Sequence, residues 1–204
     1  MKLRANIKLQ AKQNFQAQYW LCVGAYVLYM LIMSAASSVT MGLGAFFLAP
    51  PLMVGYYSFS LKVYRGQQGD IGEMFTDGFA DYWRNVGGIL WMQLWVFLWS
   101  LLFIIPGIIK TFAYFMTPYI LADSKNVSPT QALKLSKRMT RGYKGKIFVM
   151  MLSFIGWGIL SILTSGILTI FWTGPYYNKS LAGMYDELKA SALANGTVTP
   201  EELA

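Results

Sequence analysis

The chain has 204 residues, 55% of them hydrophobic, 16% aromatic and only 13% charged, with a mean hydropathy of +0.42. Soluble globular domains carry about 25% charge, so the composition argues against a water-soluble domain and for a chain solvated largely by lipid. A net charge of +8 comes with no histidine and one cysteine, which removes the commonest general base and metal ligand and any disulfide within the chain.

The polar, basic segment 1–12 leads into a stretch, 13–61, without Asp, Glu, Lys or Arg. That apolar run is too long for a signal peptide, so the segment is expected to be retained. Two further stretches, 85–122 and 147–184, hold one charge each, Lys110 and Lys179. A helix rising about 1.5 Å per residue crosses a hydrocarbon core of about 30 Å in about 20 residues, so each stretch accommodates two crossings. Each also contains proline past its midpoint, Pro50-Pro51, Pro106 and Pro175, where a helix loses a backbone hydrogen bond and turns or kinks.

The expectation is an all-α polytopic membrane protein, a single integral membrane domain over 1–204. About six membrane-inserted helices form three proline-containing hairpins, at about 13–65, 85–123 and 147–188. Amphipathic cytoplasmic segments lie at 1–12, 66–84 and 124–146, and a polar tail at 189–204. All but two of the 17 Lys and Arg then share one side, and basic loops stay cytoplasmic, which places both termini in the cytoplasm.

Two of the amphipathic segments carry faces of opposite sign. With a 3.6-residue period, Asp70, Glu73, Asp77 and Asp81 share one face, and Ile71, Phe75, Phe79 and Tyr82 the other. The second begins with a capping box, Ser128-Pro129-Thr130-Gln131. It sets Lys134, Lys137, Arg138 and Arg141 against Ala132, Leu135, Met139 and Tyr143. Both are expected to lie in the membrane surface. Lys134, Lys137, Arg138 and Arg141 are candidate contacts for anionic headgroups of the inner leaflet, at about 1 kcal/mol per basic residue; solvation is the ordinary reading of the acidic face.

The stretches resemble copies of one unit: an aromatic and polar lead-in, a crossing, a proline and a more polar return. Lys110 follows Pro106 by four residues, as Lys179 follows Pro175, which makes the two lysines equivalent. A rival alignment pairs Pro106-Gly107 with Ser165-Gly166 and Pro118-Tyr119 with Pro175-Tyr176, and makes them unrelated. Either lysine can snorkel to the outer interface. Alternatively the returns face a polar cleft in which Lys110, Lys179, Tyr114 and Asn178, with Tyr57 and Ser180, bind a lipid phosphate or another anion. Gly158, Ser161 and Ser165 form a small-residue stripe suited to close helix packing.

The run Leu98 to Lys110, followed by Tyr114, Pro118-Tyr119-Ile120-Leu121-Ala122-Asp123, Ala132 to Ser136, Leu152 to Trp157 and Tyr176-Tyr177, resembles the DUF975 family of bacterial integral membrane proteins. The resemblance extends from about Gly78 to Leu188 and implies a small polytopic protein of a bacterial, Gram-positive cytoplasmic membrane. It implies no activity and no site residues.

No Asp or Glu lies deep in a crossing, which argues against a proton relay or paired catalytic carboxylates. Cys22, in the first crossing, reads as a packing residue, and Gly42-Leu43-Gly44 lacks the residues of a phosphate loop. The expected function is a non-enzymatic module without metal or cofactor. It binds membrane lipids or a membrane-protein partner, a second copy included, and not nucleic acid. The alternative is a carrier or channel for a small anionic or amphiphilic solute using Lys110 and Lys179.

Overall fold

The computed structural model describes residues 4–39, 43–102 and 104–203, and every regular element among them is helical. One order of elements recurs three times. A short lead-in helix, α1 (Arg4–Ala17), α4 (Ile71–Ala80) or α8 (Pro129–Met139), precedes an outgoing element, α2 (Tyr19–Val39), α5 (Tyr82–Leu102) or the pair α9 (Lys144–Leu152) and α10 (Ile155–Leu163). The chain then comes back through α3 (Leu43–Tyr64), through α6 (Ile104–Tyr114) and α7 (Thr117–Asp123), or through a π-helical turn (Thr169–Thr173) and α11 (Gly174–Ala194). Two helical stretches, Tyr19–Ser38 and Lys144–Leu163, are long and apolar enough to cross a membrane. Outward-facing side chains such as Leu31, Phe97, Leu101, Ile162 and Leu163 are large, apolar and exposed.

The returns meet in the core. Tyr57 of α3 stacks on Tyr119 of α7 at 4.4 Å between ring centroids and 6° between planes, and Tyr119 stacks in turn on Tyr185 of α11 at 5.5 Å and 17°. Each lead-in packs on the return of a different set: α4 on α3, α8 on α7 and α5, and α1 on α11. In α1 the buried residues Ile7, Ala11 and Phe15 recur every four positions and form the stripe that makes the contact.

The prolines stand elsewhere than at the reversals. The third reversal falls at Ser165-Gly166, both with positive φ, whereas Pro175 is in the first turn of α11 and Pro106 in that of α6. Proline is tolerated there because a first-turn N–H has no intrahelical acceptor. Pro50 and Pro51 lie inside α3. Pro51 leaves the Phe47 carbonyl without its helical donor, and the Tyr82 hydroxyl donates to that carbonyl at 3.3 Å. Pro118 and Pro175 each start a helix behind an irregular turn, while Pro106 and Pro175 each lie in a first turn four residues before a lysine, so both alignments find a counterpart in the fold. The surroundings of the two lysines differ: Lys110 is half-buried and Lys179 fully buried.

The lead-ins also pack on protein. α4 buries Met74 and Gly78 against α3, and part of its acidic face is paired: Lys62 reaches Glu73 at 2.7 Å and Asp77 at 2.9 Å, and the Ser58 hydroxyl donates to Asp77 at 2.7 Å, while Asp70 is exposed. Burial pushes the Asp77 carboxyl up, but these contacts outweigh it and hold it below the ordinary value. The helices approach so closely that a Cβ on Gly55 would collide with the Met74 carbonyl, and one on Gly78 with the Pro51 carbonyl. Gly158 has nothing within 4 Å of such a Cβ, so of the Gly158, Ser161 and Ser165 stripe this position makes no tight contact, whereas Ser161 is buried with its hydroxyl 3.2 Å from Thr173 Oγ1. Because the obstacles at the α3–α4 crossing are backbone, Gly55→Ala or Gly78→Ala should cost about 1 to 3 kcal/mol, while Gly158→Ala should change stability by less than about 0.5 kcal/mol. Thermal unfolding in detergent measures this; equal effects at the three positions would contradict the crossing.

Candidate functional site

The helix α8 starts where its capping box sits. The Ser128 N–H donates to Gln131 Oε1 at 3.1 Å, and the Gln131 N–H donates to Ser128 Oγ at 3.4 Å. Its buried face, Ala132, Leu135, Ser136 and Met139, turns to protein. Ser136 and Thr140 serve the break between α6 and α7, where backbone groups lose their helical partners. Both hydroxyls donate to the Ala113 carbonyl, at 2.9 and 3.1 Å, and Ser136 Oγ accepts from the Met116 N–H at 3.1 Å. This anchorage turns Lys134, Lys137, Arg138 and Arg141 outward, and all four are exposed.

The four basic residues do not share one environment. Arg138 is taken by the C-terminal tail, donating to Glu202 at 2.6 Å and to the Thr197 carbonyl. Lys134 and Lys137 line a hollow of about 400 Å³ with Trp91, Trp95, Tyr114, Thr130 and Leu133. Lys137 also borders a second hollow, of about 590 Å³, with Arg141, Gly142, Lys144 and Gly145. Lys110 is half-buried, its Nζ 4.3 Å from the Trp99 ring centroid and 5.8 Å from that of Tyr114, near enough for the charges of Lys137 and Lys144 to act on it. It thus lies near the basic residues of α8 and α9. Among the described residues, none of Lys110, Lys134, Lys137, Arg141 and Lys144 forms an ion pair.

Of the other predicted residues, Tyr114 lies beside Lys110 and the first hollow, but Lys179 and Asn178 lie apart from both. Lys179 is fully buried in the core, its Nζ 4.6 Å from the Phe59 ring centroid and 5.1 Å from that of Tyr56, with no hydrogen-bond acceptor. Faces of aromatic rings are its charge partners. Asn178 donates to the Gly174 carbonyl at 2.9 Å and borders a groove of about 650 Å³ with Tyr26, Tyr29, Ser161, Ser165 and Thr173. Ser180 donates within α11 to the Tyr176 carbonyl, and Tyr57 is part of the tyrosine stack. Cys22 is buried. Trp91, Trp95 and Lys144 were not singled out by the sequence reading, although the tryptophans' spacing of four along an uncharged helix puts them on one face.

A second polar cluster ties the three returns to one another. Arg65, just past α3, donates to Asp123 of α7 at 2.7 Å and to Asp186 of α11 at 2.6 Å. Asp123 also accepts from Lys189 at 2.5 Å and from the Tyr185 hydroxyl at 3.0 Å. Burial pushes the Asp123 carboxyl up, but the hydrogen bonds and charges of Arg65 and Lys189 outweigh it and hold the group at about 2. These groups satisfy each other and leave little for a ligand.

Residues 84–192, more than half of the chain, match the family described as Protein of unknown function (DUF975). No curated protein and no solved structure matches the chain.

The depressed Asp123 carboxyl makes the cluster acid-sensitive in a defined window. Its contribution is complete above the ordinary carboxyl value of 3.8 and is lost as pH falls through about 2. Asp123→Asn should cost about 1 to 2 kcal/mol at neutral pH, between the values for exposed and buried pairs, because Asp123 is nearly enclosed while Arg65 is a third exposed and keeps Asp186. The variant should also lose much of the stability decline between those two pH values. Unfolding midpoints measured across the acid range test this; parallel pH profiles for the two proteins would contradict it.

Proposed function

The chain belongs to the DUF975 family, and we propose that it is a non-enzymatic, polytopic protein of the bacterial cytoplasmic membrane that binds anionic lipid at its inner face. The observation that carries this reading is the cluster at α8: Lys134, Lys137 and Arg141, without carboxylate partners among the described residues, lie on and just past a helix whose other face is anchored in protein. Cations so placed attract anionic headgroups, each adding about 1 kcal/mol near the surface. Trp20 and Trp83, both exposed, stand at the junctions of lead-in and outgoing helices, where a membrane interface favours tryptophan.

In this reading the three sets are hairpins, about six helices are membrane-inserted, and both termini are cytoplasmic. The one-sided distribution of Lys and Arg supports it. A carrier working through Lys110 and Lys179 has less support, because Lys179 is fully buried against Phe59 and Tyr56 while Lys110 stands beside Trp99 and Tyr114.

Single cysteines at Asn126 and Gly196, in a Cys22→Ser background, should resist impermeant thiol reagents in intact cells and react after lysis. Labelling of either before lysis would overturn the topology. For lipid binding, the purified protein should unfold at higher temperature in phosphatidylglycerol vesicles than in phosphatidylcholine vesicles, and the difference should shrink as salt rises. Reversing Lys134, Lys137 and Arg141 to Glu should abolish the difference. Equal unfolding temperatures for the unaltered protein in the two lipids would reject the reading.

A further inference from the structure

We infer that the two hollows meeting at Lys137 form one site for a single phospholipid. Lys137, Arg141 and Lys144 hold its phosphate, and Trp91 and Trp95 carry the upper part of an acyl chain. The inference rests on the anionic-lipid reading above and narrows it from an attractive surface to a stoichiometric site.

Charge and shape point the same way. The larger hollow, about 590 Å³, is bordered by Lys137, Arg141 and Lys144 together with two glycines. None of the three cations has an ion-pair partner among the described residues. Gly142 has a φ of +82° and nothing within 4 Å of a would-be Cβ, and Gly145 is equally open. Bare backbone at these two points lets a tetrahedral anion approach the cations from the side that side chains would otherwise block.

The adjoining hollow, about 400 Å³, has a different lining. Trp91 and Trp95 stand edge to face at 5.9 Å between centroids, each a little over one third exposed. Leu133 extends their apolar wall, and Tyr114, Thr130, Lys134 and Lys137 complete the lining. The two hollows thus bring together cations, hydroxyls and an apolar wall, the groups that suit the phosphate, glycerol ester and chain of a phospholipid. An inorganic anion would use the first part and leave the tryptophan wall empty, and a neutral lipid would leave the cations without a partner. A hollow of this size takes one chain segment, not a whole lipid, so the remaining acyl surface stays with the bilayer. Lys110, stacked on Trp99, adds positive charge at the rim without bordering either hollow.

The test is native mass spectrometry of the full-length protein, delipidated in detergent and supplied with phosphatidylglycerol or phosphatidylcholine. One phosphatidylglycerol should be retained per chain, in preference to phosphatidylcholine. Lys137→Gln and Trp95→Ala should each lower its occupancy about tenfold, as loss of one charge-assisted or well-packed contact does. Lys125→Gln, the same charge change at an exposed position in the α7–α8 connection, should leave it within about twofold, as a change at an exposed position away from such contacts does. Equal losses for Lys137→Gln and Lys125→Gln, with Trp95→Ala silent, would overturn the site while leaving the anionic-lipid reading intact. No preference for phosphatidylglycerol would reject both. Displacement of the lipid by inorganic phosphate would overturn the phospholipid assignment. Should Trp95→Ala not fold, tryptophan quenching in the unaltered protein reads the same contact: brominated-chain phosphatidylglycerol should quench more than brominated phosphatidylcholine, and equal quenching would overturn the proposal.

Discussion

Arg65 is held between two carboxylates from two other helices, Asp123 and Asp186, and the arrangement of the three returns follows from that constraint. At the edge of the apolar interior the Asp123 side chain is only 9% exposed and needs cationic partners, and removing one costs about 1 to 3 kcal/mol. Lys189 and the Tyr185 hydroxyl complete Asp123 from α11, so α3, α7 and α11 can satisfy these groups only together. Deeper in the core, the stack of Tyr57, Tyr119 and Tyr185 adds one ring from each of the same helices. Once the returns are fixed, each lead-in has a surface to bind, and the close α3–α4 crossing at Gly55 and Gly78 is one such docking.

The same logic connects the core to the basic cluster. The break between α6 and α7 frees an N–H and a carbonyl, which Ser136 and Thr140 of α8 satisfy. A helix fixed on one side by hydrogen bonds and apolar packing presents its opposite side without choice, and in α8 that side is basic. The tail takes Arg138 through Glu202 and the Thr197 carbonyl. Lys134, Lys137, Arg141 and Lys144 are left around the two hollows. Polar backbone repair and basic presentation are thus two faces of one short helix.

Much of this was legible in the sequence, and what was not has identifiable reasons. Charge-free stretches and 3.6-residue periodicity located the helices and the two faces of α8, because these are local properties. The reversals were misplaced because proline was read as a turn marker. In the first turn of a helix proline costs little, and within α3 the carbonyl left free by Pro51 is repaired by Tyr82, from a distant part of the chain. The acidic face of α4 read as solvated because nothing local identifies Lys62 as its partner. Arg138 read as a headgroup contact because Glu202 lies 64 residues away. Equal spacing from a proline suggested that Lys110 and Lys179 match, but depth and surroundings depend on tertiary packing: one is half-buried beside Trp99 and the other sealed against Phe59 and Tyr56.

The central claim is that interdependent polar contacts hold the returns together, rather than each helix being held separately. A double-mutant cycle on Arg65 and Asp123 tests it most directly, with Arg65→Gln, Asp123→Asn and the pair compared by equilibrium unfolding in detergent. The account predicts a coupling energy of about 1 to 3 kcal/mol, because either single change already removes the Arg65–Asp123 pair and the double change loses nothing further there. Additive losses, with coupling below about 0.3 kcal/mol, would contradict it.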